Sequence, residues 1–333
     1  MSPARRTHQH GVAAALMSAI FLGTAPVFGK QAYALGMAPI ALAAWRTLLA
    51  AAGLWLIYGL AKKGRTFIYI YPAGLIGCFA VGAVNGIGSI LYYTGLQRVD
   101  AGIGQMVYSL YPIFLVVFLR LDGHRFSGLT LFRMILAIIA VILLSHAGDG
   151  PTDFVGLGLM LGAGMLYALH LTIGQRVSYE MPAQTLTLYS LTSMATVVGA
   201  AYMLTLIVSA SVPAAALQEF AQDASPAVTV AWGPTVGLAF VTLMSRLGMF
   251  LGVKRLGSLQ TALIGITEIL VTLLLATTLL GETLNPRQWV GAFLLMGSLL
   301  LIRHEPVLGL SLRRKVKTAE TAAISPSVVT GSK

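Results

Sequence analysis

Residues 252–302 read GVKRLGSLQTALIGITEILVTLLLATTLLGETLNPRQWVGAFLLMGSLLLI, and the reading of this stretch decides the fold. Two apolar runs, 259–280 and 289–302, flank a short hinge, Gly281-Glu282-Thr283-Leu284-Asn285-Pro286. A bilayer's hydrocarbon core is about 30 Å thick and a helix rises about 1.5 Å per residue, so each run crosses or nearly crosses it. Asn285 followed by Pro286 predicts a helix start: the asparagine caps, and the proline's missing N–H costs nothing at the first helical position. Glu268 lies inside the first run. An acidic group at membrane depth is expensive, which makes it a functional-site candidate.

The composition carries this reading to the whole chain. Of 333 residues, 57% are hydrophobic and 10% charged, against about 25% charged in an ordinary soluble domain. The chain is a polytopic membrane protein. Its 36 glycines suit membrane helices whose backbones approach closely. A single cysteine, Cys78, excludes a disulfide within the chain, and six scattered histidines lack metal-site spacing, so neither metal nor cofactor is expected. The net charge of +11 could point to nucleic acid, but its distribution fits cytoplasmic loops instead.

Ten spans are predicted, at 11–29, 38–60, 71–96, 101–119, 127–146, 154–174, 183–209, 230–253, 259–280 and 286–302. Counting Lys and Arg on alternating sides separates the loops sharply. One side receives Arg5 and Arg6, Lys62, Lys63 and Arg65, Arg120 and Arg125, Arg176, Lys254 and Arg255, and the tail with Arg303, Arg313, Arg314, Lys315 and Lys317. The other receives Lys30, Arg98 and Arg287, and its longest loop, 210–229, has none. The positive-inside rule then places both termini in the cytoplasm of a multi-pass protein of the inner or plasma membrane. Residues 1–10 form a short cytoplasmic N-terminus. The tail, 303–333, is basic and then Ser/Thr/Ala-rich, the composition of a disordered segment at the membrane surface.

Sliding the chain by 157 positions places Gly95-Leu96-Gln97-Arg98 on Gly252-Val253-Lys254-Arg255 and keeps the following spans in step. The first turn faces outside and the second faces the cytoplasm. Halves of five spans each must therefore be inverted relative to one another. The expected fold class is an all-α membrane protein: ten transmembrane helices in two inverted five-helix repeats, 11–146 and 154–302, joined by a Gly/Asp/Pro linker at 147–153.

A family resemblance follows from the same residues. Glu268-Ile269, Leu280-Gly281-Glu282, Trp289-Val290-Gly291 and Gly297 resemble the closing signature of the EamA type of the drug/metabolite transporter superfamily. That signature runs Glu-Pro, an apolar stretch, Leu-Gly-Glu, a polar turn, and two glycines six apart; here Ile269 stands where proline is usual. In the first half, Gly23-Thr24-Ala25-Pro26 through Lys30, then Pro39, Arg46 and Leu96 to Pro112 with Ser109-Leu110-Tyr111-Pro112, resemble the family's early helices. The Leu-Gly-Glu turn is absent there, where Leu121-Asp122-Gly123-His124-Arg125 stands instead. The resemblance covers most of 11–302. It implies ten membrane helices in two halves and movement of small metabolites or drugs, with export of amino acids or related compounds as the leading case.

Helical spacing sorts the embedded polar residues into faces. Thr261, Gly265, Glu268 and Thr272 share one side of the ninth span; Thr242, Ser245, Arg246 and Met249 cluster on the eighth. Arg246 and Glu268 each lie eleven residues from Gly257. Antiparallel neighbours would hold them at one depth, roughly 16 Å from the turn, where pairing would offset the cost of two buried charges. Such a pair is either structural or lines a cavity, engaging a carboxylate or zwitterion, with Glu268 able to carry a proton. The other candidate substrate contacts are Asn85 on the third span, Tyr108 and Tyr111 on the fourth, and His170 on the sixth. His170 also reads as a histidine bonded to a neighbouring helix. Arg46 and Arg133 lie nearer span ends and could snorkel.

Two classes of function remain. A secondary transporter, an exporter of small metabolites such as amino acids, explains inverted halves and embedded charges; a multidrug, nucleoside or cationic-drug transporter is the variant reading. Its partners would be a small-molecule substrate and the lipid bilayer, with proton coupling open and a monomer or homodimer expected. The rival, an intramembrane enzyme, needs a nucleophile–base set or metal ligands, and neither HExxH, GxSxG nor paired acids occur.

Overall fold

The computed structural model describes residues 3–61, 64–121, 153–211, 230–283 and 285–300, with a few single positions between 128 and 143. All the regular structure among these residues is helical. In chain order the helices are α1 (Pro3–Ala34), α2 (Pro39–Leu60), α3 (Pro72–Arg98), α4 (Ala101–Tyr108), α5 (Tyr111–Leu121), α6 (Phe154–Glu180), α7 (Ala183–Ser211), α8 (Trp232–Leu256), α9 (Ser258–Gly265), α10 (Thr267–Leu279) and α11 (Pro286–Leu300), with a 3₁₀ turn at Gly64–Phe67. Eight stretches among the described residues are long and apolar enough to cross a membrane, α4–α5 and α9–α10 each counting as one. Most of the expected fifth span at 127–146, nearly all of the loop 210–229 and of the linker, and the tail lie outside the described residues.

The helix starts follow local chemistry. Proline occupies the first turn of α2 and α3 and the first position of α11, where its missing N–H is no loss. Asn285 precedes α11 and its carbonyl accepts from Trp289 N–H at 3.1 Å. Asp153 caps α6 by accepting from the Gly156 N–H at 2.9 Å. Gly257, at φ +90°, turns α8 directly into α9, a backbone state that glycine adopts without a side-chain clash.

Packing partners obey an exchange of the two halves. α1 packs on α8 as α6 packs on α3, α2 lies against α7, and α4–α5 crosses α9–α10. The shift that aligns Gly95–Arg98 with Gly252–Arg255 also carries α4, Ala101–Tyr108, onto α9, Ser258–Gly265. Close approach depends on small residues. A side chain at Gly248 would meet the Ala14 carbonyl at 2.6 Å, so α8 touches the α1 backbone directly.

Large apolar side chains such as Leu56, Ile76, Leu204, Phe240 and Leu274 are exposed on the outside of the bundle. That surface would be a liability in water and is what lipid chains require. The two ends are marked by polar contacts. At one, Arg98 pairs with Asp153 at 3.2 Å, and Glu282 accepts from the N–H groups of Ala101 and Gly102. At the other, Tyr71 donates to Glu180 at 2.6 Å and Lys254 Nζ donates to the Met181 carbonyl at 2.7 Å.

Candidate functional site

The expected fourth and ninth spans, α4–α5 and α9–α10, are each interrupted midway, and the interruptions meet. In the fourth, Pro112 has no N–H to give Tyr108 and its ring crowds that carbonyl. The chain tightens accordingly, with Leu110 N–H on Val107 O at 3.2 Å and Ile113 N–H on Leu110 O at 2.9 Å. The ninth has no proline. There the Thr267 hydroxyl donates back to the Ile264 carbonyl at 2.8 Å, a competition that bends helices. The Tyr111 hydroxyl donates to the Ala262 carbonyl at 3.0 Å, the acceptor that an unbroken helix would reserve for Ile266. In return, Ser109 Oγ donates to Glu268 Oε1 at 3.3 Å. Each break supplies the hydrogen-bonding group that the other needs.

Around this crossing lies a buried polar cluster. Arg46 on α2 is 5% exposed, donates through Nη1 to Thr242 Oγ1 at 2.8 Å and through Nη2 to Ser89 Oγ, and lies 4.4 Å over the Tyr93 ring. Of the readings open to it, Arg46 does not take the snorkelling one: its partners stand on α3 and α8, inside the bundle. Arg246 on α8 donates to Asn85 Oδ1 at 3.1 Å and sits 5.4 Å from the Tyr167 ring centre. Gln105 Oε1 accepts from the Tyr92 hydroxyl at 2.9 Å. Edge-on rings link Tyr92 to Tyr108 and Tyr111 to Tyr167, a geometry in which ring edges meet neighbouring faces.

The expected Arg246–Glu268 ion pair is not formed. Both are buried, Glu268 completely, but Arg246 turns to Asn85 while Glu268 meets Ser109, and Glu268 Oε2 has no hydrogen-bond partner. α8 and α9 lie together near Gly257, but α10 packs chiefly on α1 and α4, so equal distance from the turn does not bring the two side chains into contact.

Of the six sequence candidates, Asn85, Tyr108 and Arg246 line one cavity together with Arg46 and Tyr167. Tyr111 and Glu268 line a smaller one, and Tyr167 forms a wall of both. The first encloses about 30 Å³ and the second about 10 Å³, room for about one or two waters between them. His170 lines neither. Its ring stacks behind Tyr167 with centroids 5.8 Å apart, and Nδ1 donates to the Val81 carbonyl at 2.9 Å, the helix-bonded alternative. Tyr167, Arg46, Gln105 and Ser109 join the cluster although they were not among the expected substrate contacts. Tyr167 shares a helical face with His170, three residues on, and Gln105 shares one with Tyr108; that spacing was their signal in the sequence. Among the described residues no three His, Cys, Asp or Glu side chains converge as a metal site requires.

Comparison with known proteins fits this architecture. Residues 9–146 and 154–303 each match the sequence model of the EamA-like transporter family. A protein of Bacillus subtilis (strain 168) described as "Uncharacterized transporter YcbK" is 24% identical over 288 residues, covering 83% of this chain and 87% of its own length. One solved chain, described only as "Crystal structure of protein", superposes with a TM-score of 0.62 at 16% identity, over 92% of this chain and 99% of its own. That likeness concerns the fold alone.

Proposed function

We propose that this chain, which belongs to the EamA-like transporter family, is a secondary transporter that exports small metabolites such as amino acids by alternating access. Family membership makes it a multi-pass membrane transporter of small solutes; the substrate class, the direction and the mechanism are our reading. The observation that carries it is the buried polar cluster at the crossing of the two interrupted spans, where Arg46, Arg246 and Glu268 lie 5%, 7% and 0% exposed. Charges are kept at such depth where a solute or ion must pass.

At about 30 and 10 Å³ the cavities are too small for an organic solute, so loading requires the halves to move apart. The crossing is suited to that. Ser109–Glu268 and Tyr111–Ala262 are single hydrogen bonds between halves, which can part and re-form at modest cost. Asn85, Tyr108, Tyr111, Arg246 and Glu268 are proposed to face the solute, and His170 to brace Tyr167 from behind. Glu268, with one carboxyl oxygen unpartnered, is the proposed proton carrier if transport is proton-coupled.

Counterflow in proteoliposomes against amino acids, nucleosides and cationic drugs tests this reading. Exchange of amino acids is the expected result, and exchange of cationic drugs alone overturns it in favour of a multidrug role. The ten-span topology with cytoplasmic termini is tested by single cysteines at Ser211 and Ser311 with Cys78 replaced. Labelling from opposite sides is expected; the same sidedness at both defeats the topology.

A further inference from the structure

We infer that Arg46 and Arg246 together form a carboxylate-binding site, so that the cavity selects an organic anion over cationic solutes. This rests on the transporter reading above, because a cavity of about 30 Å³ must widen to admit an organic acid. Both guanidiniums line the same cavity, and each is more than nine-tenths buried. Their hydrogen bonds go to neutral partners, Arg46 to Ser89 and Thr242 and Arg246 to Asn85 and the Met249 sulfur. The Nε–H of each has no partner at all. Among the described residues neither approaches a carboxylate as an ion pair; the pair found there is Arg98–Asp153, at the end of the bundle.

The placing of the two cations follows from their partners. Asn85 and Ser89 are one turn apart on α3, and so are Thr242 and Arg246 on α8, so both guanidiniums reach the same cavity from partners on adjacent turns. Two like charges in one cavity, shielded from water, repel one another. Neutral hydrogen bonds do not offset the desolvation of a buried guanidinium. An oxyanion lying between them removes both penalties. The guanidinium fork matches the two oxygens of a carboxylate, and the two unused Nε–H groups are donors awaiting an acceptor. Glu268 does not fill this role: it lines the neighbouring cavity and bonds to Ser109. Even with Glu268 ionised, two guanidiniums face one carboxylate, and the cluster stays net positive. The rings of Tyr92, Tyr108 and Tyr167 give the apolar body of an organic acid a surface to lie on.

Binding to the purified full-length protein in detergent decides the matter. Benzoate, succinate, inorganic phosphate, chloride and tetraphenylphosphonium are titrated at matched ionic strength, with the thermal unfolding midpoint and calorimetric Kd as readouts. Benzoate or succinate is expected to bind and raise the midpoint. Arg46→Gln and Arg246→Gln should each weaken that binding on the order of tenfold to a hundredfold. Should the Gln variants fail to fold, Arg46→Lys and Arg246→Lys keep the charge but lose the fork, and binding at least about tenfold weaker is expected of them. Carboxylates that bind the Lys or Gln variants as well as wild type overturn the proposal. So does the absence of carboxylate binding, and so does tighter binding of tetraphenylphosphonium. Chloride or phosphate binding as tightly as the carboxylates, through the same arginines, makes this an inorganic-anion site and overturns the carboxylate assignment. Proteoliposome flux separates the two layers. Arg-dependent carboxylate binding without flux refutes the transporter reading alone; flux without such binding refutes the anion site alone.

Discussion

Glu282 is expected to hold the two halves of the protein together at one end of the bundle. Its carboxylate accepts from Ala101 N–H at 2.7 Å and from Gly102 N–H at 2.9 Å, which ties the start of α4 to the turn after α10. These are the first amides of a helix, with no partner inside it, and a negative charge there also meets the positive end of the helix dipole. Ala101 and Gly102 are buried, so Glu282→Ala leaves two donors without water. A hydrogen bond to a charged acceptor contributes about 1.5–3 kcal/mol, and an orphaned buried donor costs a similar amount. Glu282 is half-buried and both bonds share one carboxylate, which argues for the low end: about 2–4 kcal/mol in total. Glu282→Gln keeps one carbonyl oxygen and should lose about half as much. Equilibrium unfolding by SDS in mixed micelles, read by circular dichroism, measures the differences, and hydrogen exchange should show faster exchange at Ala101 and Gly102. A Glu282→Ala variant as stable as wild type, or a Glu282→Gln variant that falls equally far, refutes the capping argument.

Double-mutant cycles on unfolding free energy should find coupling for Asn85→Ala with Arg246→Ala, about 0.5–3 kcal/mol, larger than for Arg246→Ala with Glu268→Gln; the reverse order would mean that the charges meet after all. Gly82→Val drives a side chain into the Ser190 carbonyl and Ser193 and should cost about 1–3 kcal/mol or more by parting α3 from α7. Gly199→Ala, with nothing within 4 Å, is the silent control, and equal behaviour of the two would contradict the packing. At Asp153 the Gly156 N–H, helped by the Arg98 guanidinium, holds the carboxyl below its ordinary value of 3.8. A depressed value stabilises the fold at neutral pH, and that stability is lost as pH falls through the folded-state value. Asp153→Asn should therefore be less stable than wild type at pH 7, and the difference should close only in acid below 3.8. A gap that is unchanged in acid removes Asp153 from this role.

Much of the crossing was legible as pattern. The shift that aligned two short turns in the sequence also aligned two helix interruptions, because Pro112 and the Gly265–Thr267 segment act on their own turns of helix. Polar faces on the third, fourth and sixth spans could be read at helical spacing, and Asn85, Tyr108 and Tyr167 do face inward from them. Arg46 was not legible in this way. Its depth is set by the Ser89 and Thr242 hydroxyls on two other helices, and a residue near the end of its own span carries no trace of them.

By itself the sequence determined what each stretch of chain can tolerate as solvent. Hydropathy, glycine content and the segregation of Lys and Arg are sums over local residues, and they settle membrane class without reference to neighbours; the same sums predict the span spacing and the inverted halves. The tertiary structure alone decided which buried polar groups meet. Counting from Gly257 gave Arg246 and Glu268 the same depth, which is a one-dimensional quantity. Contact also depends on direction across the membrane plane, which the count does not carry. There α10 packs on α1 and α4, leaving Glu268 to Ser109 and Arg246 to Asn85.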